Sequence, residues 1–386
     1  MVADALDCCA PAPPGFVWLS LSALRWDDFA AESQAPLWSA LARIQACVAG
    51  TSPGHFVVAG WLEEVRVWTT KVLADSGLSL GGLHSQYNLG PDFSLLRFAT
   101  SGAAVWFKAV GCKCAQEFAV TRILADARIP HTARVLAFCE EWRAWLSVEA
   151  EGRHPDERTS AEQWAMAARC LSDLQIASIP CTPALLAAGG RDFRIGCLRR
   201  AIEPCLNRMA DLVSRQNSVA LSRPGPEGFL TIETALRHAC ARLDTAEIPD
   251  TAGHSDLSAG NILIAENGTV FLDWAECHVG PPFLTLAYLE LLTGAAGCSM
   301  QAREAYLRRW RQELLPNAVE ALLASAPLLA VFACVLLCDS PNQAPEALDS
   351  GRARRLRSLT RRMLVEAQAY LHCGGQQPCV VRFTTL

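Results

Sequence analysis

Residues 254–276 read His-Ser-Asp-Leu-Ser-Ala-Gly-Asn-Ile-Leu-Ile-Ala-Glu-Asn-Gly-Thr-Val-Phe-Leu-Asp-Trp-Ala-Glu. A short loop spelled H-x-D-x-x-x-x-N carries His254, Asp256 and Asn261. Two apolar runs follow, Ile262-Leu-Ile and Thr269-Val-Phe-Leu, separated by Asn267-Gly268. Asn-Gly between apolar runs is a strong hairpin signal. The spacing therefore predicts a hairpin with Asp256 and Asn261 at its entrance and Asp273 at its exit. Antiparallel pairing then brings the three groups together.

Those three groups are the set that phosphoryl transfer from ATP calls for. One carboxylate, Asp256, accepts the proton of an attacking hydroxyl. An amide oxygen, Asn261, and a second carboxylate, Asp273, hold Mg²⁺ on the phosphates, since magnesium takes hard oxygen ligands and shares its shell with substrate. Any one of these residues alone reads as a turn or cap residue. Their order and spacing around one hairpin point to a site.

Gly253-His-Ser-Asp-Leu-Ser-Ala-Gly-Asn-Ile-Leu, Phe271-Leu-Asp-Trp-Ala-Glu and Gly280-Pro-Pro-Phe-Leu-Thr-Leu-Ala resemble the aminoglycoside phosphotransferase and choline kinase family. Asp273-Trp274 stands where protein kinases carry D-F-G. The family usually reads H-G-D-L-H-x-x-N, so Ser255 and Ser258 replace a Gly and a His, and Thr285 replaces an Asp. The resemblance implies an α+β, two-lobed protein-kinase-like fold with a small antiparallel β lobe and a larger, mostly helical lobe. It implies ATP and Mg²⁺ as cofactors and a small-molecule hydroxyl as phosphate acceptor. His254 would orient the catalytic loop through backbone hydrogen bonds. Lys108, in Val105-Trp-Phe-Lys, would take the α- and β-phosphates, with Glu117 of the next helix as its partner. Backbone groups at Glu149, Ala150 and Glu151 would meet adenine at the hinge. A nucleotide-binding scaffold without turnover is the alternative, disfavoured because every expected ligand is present.

The lobes are expected at 56–150 and 151–372, with a leader at 1–55 and a tail at 373–386. In the leader, Pro11–Pro14 reads as a rigid spacer and Thr51-Ser-Pro-Gly as a linker. The run from Phe16 to Leu24 resembles the end of a Nudix domain but lacks its catalytic box, so no hydrolase is expected. A helix is expected from Gly60, and strands at Phe93–Thr100, 104–110, 129–138 and from Trp142. Helices are expected at 160–177, 192–213, 230–243, 299–315, 318–338 and 351–372. Gln86–Asp92 is the candidate phosphate-covering loop, without a G-x-G-x-x-G. Cys277 and His278 read as loop residues. No long activation segment follows Asp273, which favours a small acceptor over a peptide.

The chain has 386 residues, 51% hydrophobic and 19% charged, with net charge -5. That composition is globular and lacks the basic excess of a nucleic-acid binder. The 17 cysteines are scattered, with no C-x-x-C pair, and read as small buried hydrophobes in a reducing cytoplasm. No signal peptide is visible. Ala321–Cys338 has no charged residue, and Pro327 with its charged flanks favours a buried core helix over a membrane span. The basic run at Arg352–Arg362 reads as a solvated helix face.

Overall fold

The computed structural model describes residues 56, 60–89, 92–215, 223–339 and 350–373. The expected leader, its spacer and linker, and the expected tail beyond residue 373 lie outside the described residues, as do Gly90 and Pro91 of the candidate covering loop. Two compact units make up the chain. One takes residues up to Ala115 together with Val135–Val148; the other takes Gln116–Arg134 and Glu149 onward.

The first unit is an antiparallel sheet with a helix, α1 (Trp61–Asp75). Its strands are β1 (Leu80–Leu89), β2 (Phe93–Thr100), β3 (Val105–Val110), β4 (Val135–Cys139) and β5 (Ala144–Val148), in the order β1-β2-β3-β5-β4. Side chains alternate across a strand, so Leu96 and Phe98 of β2 and Val105 and Phe107 of β3 all enter the core. Trp61, Val65, Thr69 and Leu73 recur every four residues and form the buried stripe of α1. The Trp61 indole donates to Ser94 Oγ at 3.2 Å, satisfying both buried groups. Gln86–Leu89 pair with Leu96, Leu95 and Ser94. The candidate covering loop thus begins as strand.

The second unit carries α2 (Ala115–Asp126), α3 (Ala161–Ser178), α4 (Thr182–Ala187), α5 (Ile195–Ser214) and α6 (Pro226–Asp244). They are followed by α7 (Phe283–Ala295), α8 (Ser299–Trp310), α9 (Pro316–Cys338) and α10 (Ser350–His372). Ser160 and Gln163 form a capping box at α3; the closing residue is Gln163, not the neighbouring acid. Helix α5 begins three residues later than its periodicity suggests. Arg191–Asp192 instead form β6, parallel to β10 (Cys277–Gly280), and Asp192 Oδ1 accepts from the Arg194 amide at 3.1 Å. Cys277 and His278 are strand rather than loop, because β10 also pairs antiparallel with β7 (Thr251–His254). Helix α9 is long and apolar enough to cross a bilayer, yet 61% of its most apolar window is buried in the fold, with Leu322, Leu328, Phe332 and Val335 inside. Between α3 and α8, Tyr306 donates to Gln175 Oε1 at 2.5 Å, and Gln175 Nε2 donates to the Pro282 carbonyl at 2.8 Å. This buried network fixes the chain as it leaves β10.

Candidate active site

The predicted hairpin is present. β8 (Ile262–Ile264) and β9 (Thr269–Phe271) pair antiparallel, with Ile262 opposite Phe271 and Ile264 opposite Thr269. The Ala265 amide donates to the Gly268 carbonyl at 2.9 Å, so the turn centres on Glu266-Asn267, one residue before Asn-Gly. The ladder runs one step past β9, where the Leu272 amide donates to the Asn261 carbonyl at 2.8 Å. That step delivers Asp273 beside Asn261.

Both edges of the hairpin are guarded by chain from elsewhere in the same unit. Arg153 exchanges backbone hydrogen bonds with Ile264 at 3.0 and 2.9 Å, and His154 Nδ1 lies 3.0 Å from the Ile262 carbonyl. Gly152 turns into this pairing with φ +119°, and a Cβ there would sit 2.7 Å from the Ile264 carbonyl. On the other edge the Phe271 amide donates to the His131 carbonyl at 2.8 Å, and His131 Nδ1 lies 3.1 Å from the Thr269 carbonyl. None of these guards is marked in the sequence by a motif.

The catalytic-loop residues lock onto that frame. Asn261 Nδ2 donates to the Asp256 carbonyl at 2.8 Å and lies 3.4 Å from Asp256 Oδ2. A carbonyl accepts only from the NH₂ end of the amide, so the Asn261 Oδ1 atom is the one left for a cation. His254 is buried, 1% exposed. Its Nδ1 accepts from the Asp256 amide at 3.2 Å and its Nε2–H donates to the Leu272 carbonyl at 2.9 Å. These two bonds fix one neutral tautomer. Burial pushes the His254 pKa down, against the Leu272 carbonyl and the Asp273 and Asp256 charges, which favour the cation. Trp274 closes over the imidazole, ring centroids 5.0 Å apart, and donates Nε1–H to the Phe271 carbonyl at 3.2 Å. Asp256 and Asp273 are exposed. Asp273 is held left-handed at φ 61°, ψ 76°, strain of about 1 kcal/mol or more that a non-glycine residue keeps where the surroundings dictate it.

Asp256, Asn261, His254 and Asp273 thus come together in one loop and hairpin of the second unit. Glu117 belongs to the same unit, buried in the first turn of α2. Its neighbour Gln116 reaches to 3.5 Å from the Ala275 carbonyl, just past Asp273. Glu149, Ala150 and Glu151 form the non-regular segment leading into Gly152. Lys108 lies in the first unit, on central strand β3. Alternation puts Phe107 in the core and turns Lys108 to the other face, half-buried, with Nζ 5.6 Å from the Phe93 ring centroid and 5.8 Å from that of Trp145.

Thr285, Glu276 and His278 also hold the loop, the last two through Ser255. The Thr285 hydroxyl, at the position where the family has Asp, accepts from the His254 amide at 3.1 Å. The Ser255 amide donates to the Glu276 carbonyl at 3.0 Å, and Ser255 Oγ lies 2.7 Å from His278 Nδ1. Asn261 Oδ1 and the exposed carboxylates fit a hard divalent cation. No cluster of three or more His, Cys, Asp or Glu ligands occurs among the described residues.

The profile of the phosphotransferase enzyme family, APH, matches residues 112–327. The chain belongs to the phosphotransferase enzyme family. The match spans Asp256, Asn261 and Asp273 but begins after Lys108. No curated protein sequence matches this phosphotransferase. Among solved structures it is similar to an ethanolamine kinase from Plasmodium vivax, at 12% identity over 82% of this chain and 89% of that one, TM-score 0.50. It is similar too to a macrolide 2'-phosphotransferase from Brachybacterium faecium, at 16% identity over 78% and 98%, TM-score 0.49. It is similar as well to a choline/ethanolamine kinase family protein from Mesorhizobium loti, at 17% identity over 80% of this chain and 99% of that one, TM-score 0.42. The fold is the two-lobed protein-kinase-like one, and the family makes the protein a small-molecule phosphotransferase.

Proposed function

We propose that this phosphotransferase moves the γ-phosphate of ATP to a hydroxyl group of a small molecule, with Mg²⁺ as the metal. The observation that carries the reading is the hydrogen bond from Asn261 Nδ2 to the Asp256 carbonyl, which ties the assigned metal ligand to the loop of the assigned base and leaves Asn261 Oδ1 for a cation. Asp256 orients the acceptor hydroxyl and takes its proton as the new O–P bond forms and the bond to the ADP oxygen breaks. Asn261 and Asp273 would hold the magnesium ion, which would supply neutralisation of phosphate charge there. His254, neutral and buried, positions Asp256 without touching substrate. Lys108 is assigned to the nucleotide phosphates, with Glu117 as the helix carboxylate of that role. The backbone at Glu149, Ala150 and Glu151 is assigned to adenine. Because the transition state of phosphoryl transfer is loose, alignment and charge neutralisation supply most of the rate.

The test is binding and turnover together. Mg²⁺-ATP should raise the melting temperature of the wild type and not of Asp273→Asn. ATP consumption should appear with one member of a panel of hydroxyl-bearing amines, amino alcohols, sugars and aminoglycosides. A protein that neither binds Mg²⁺-ATP nor consumes it would be a scaffold, and the proposal would fall.

A further inference from the structure

The entry to the catalytic loop is gripped on both faces of β7, and the second grip involves groups outside the phosphotransfer set. His278 on β10 stands opposite Gly253, and Cys277 opposite His254. Alternation sends the His254 ring to the Leu272 carbonyl on one face. Gly253 and Ser255 share the other face with His278. Gly253 offers no side chain, and the His278 ring fills that space: a Cβ on Gly253 would lie 1.9 Å from Nε2. The ring passes over the glycine and brings Nδ1 to 2.7 Å from Ser255 Oγ. Phe193 packs against it with ring centroids 5.3 Å apart.

We infer that His278 is a positioning residue for Asp256, acting through the Ser255 hydroxyl. The inference rests on the phosphotransfer reading of Asp256. Three observations support it. His278 is 1% exposed and its Nε2 has no partner; an apolar ring of similar volume would escape that desolvation penalty, so the bonded Nδ1 is what the imidazole contributes. Ser255 is bound twice to the same strand region, by its amide to the Glu276 carbonyl and by its hydroxyl to His278. Asp256 is the next residue, so fixing Ser255 fixes the carboxylate's backbone. A hydroxyl both donates and accepts, so the bond holds in either neutral tautomer. The glycine usual at position 255 in the resembling family could not make it.

The test compares Ser255→Ala, Ser255→Thr, His278→Phe, His278→Asn and the Ala/Phe double variant. Ser255→Ala and His278→Phe should each lower kcat about three- to tenfold with KM for ATP nearly constant, the scale of one hydrogen bond. The double variant should be no slower than either single one. Ser255→Thr and His278→Asn, which keep a group able to bond, should recover most of the rate. Backbone amide exchange in the segment 251–258 should quicken in Ser255→Ala and be restored in Ser255→Thr. Unchanged kcat in both single variants, or losses that track melting temperature and add in the double variant, would overturn the inference. So would unchanged amide exchange, which is read without any acceptor. Wild-type protein inactive on every acceptor would instead count against the phosphotransfer reading, leaving exchange to decide the clamp. If His278→Phe fails to fold, the Ser255 variants carry the test alone.

Discussion

Asn261 Nδ2 and the Asp256 carbonyl oxygen are 2.8 Å apart, so the assigned metal ligand and the assigned base cannot move independently. Removing the amide takes away one magnesium ligand and releases the loop at once. Asn261→Ala should lower turnover about 10- to 100-fold and raise the Mg²⁺ concentration needed for half-maximal rate. A Mg²⁺ titration of initial rates separates the two effects. An unchanged Mg²⁺ requirement would remove Asn261 from the metal site.

The two carboxylates are exposed and should matter little to folding. Asp256→Asn should leave unfolding free energy within about 0.5 kcal/mol of wild type while turnover falls at least about 100-fold. Asp273→Gly should be stabilised by about 1 kcal/mol, because glycine accepts the left-handed backbone that aspartate holds at φ 61°. Urea melts of both variants, read beside their rates, show whether activity and stability separate here.

Acid should weaken the fold before its carboxylates protonate. His131, His254 and His278 have pKa values below the usual 6.5, each lowered first by burial, and His278 is pushed down to about 3. The unfolded chain binds protons below pH 6.5 that the folded His278 refuses until about pH 3. Stability therefore rises with pH across that window and falls as pH drops from 6.5, with little change from these groups above it. His278 alone should account for about 1.4 kcal/mol between pH 7.5 and 5.5. Unfolding free energies at the two values should show the loss, and His278→Asn should reduce it. A wild type equally stable at both would contradict the buried neutral imidazole.

Gly152, one residue before the Arg153 guard, leaves no room for a side chain. Gly152→Ala adds a Cβ 2.7 Å from the Ile264 carbonyl on a backbone at φ +119°, and should destabilise by about 2 kcal/mol or more. The loss should be accompanied by faster amide exchange at Arg153 and Ile264, whose paired amides guard β8. Full stability with unchanged exchange would mean that the pairing is not needed.

Much of the site was readable because its signals are local. Asp256, Asn261 and Asp273 sit at fixed spacing around two apolar runs, and that spacing is enough to place them. The strand that carries Lys108 was readable as an apolar run, and in it Phe107 faces the core. The exact turn was not, since Asn267-Gly268 suggests one register and the Ala265–Gly268 bond sets another. β6 and β10, two and four residues long, are too short to show a period. The Ser255–His278 contact spans 23 residues and uses one hydroxyl and one imidazole, neither of which declares a partner in sequence. Gly152 looked like any glycine until Ile264 was seen against it. Thr285, where the resembling family has Asp, accepts from the His254 amide, a partner 31 residues away that its sequence neighbours do not declare.

The most direct test of the phosphotransfer account is mass spectrometry of the acceptor after incubation with ATP and Mg²⁺, wild type beside Asp256→Asn. The account predicts one acceptor heavier by a single phosphoryl group, formed in step with ADP, and at least about 100-fold less of it with the variant. Equal phosphorylation by both proteins would contradict the role of Asp256, and ADP formed with no phosphorylated acceptor would contradict transfer itself.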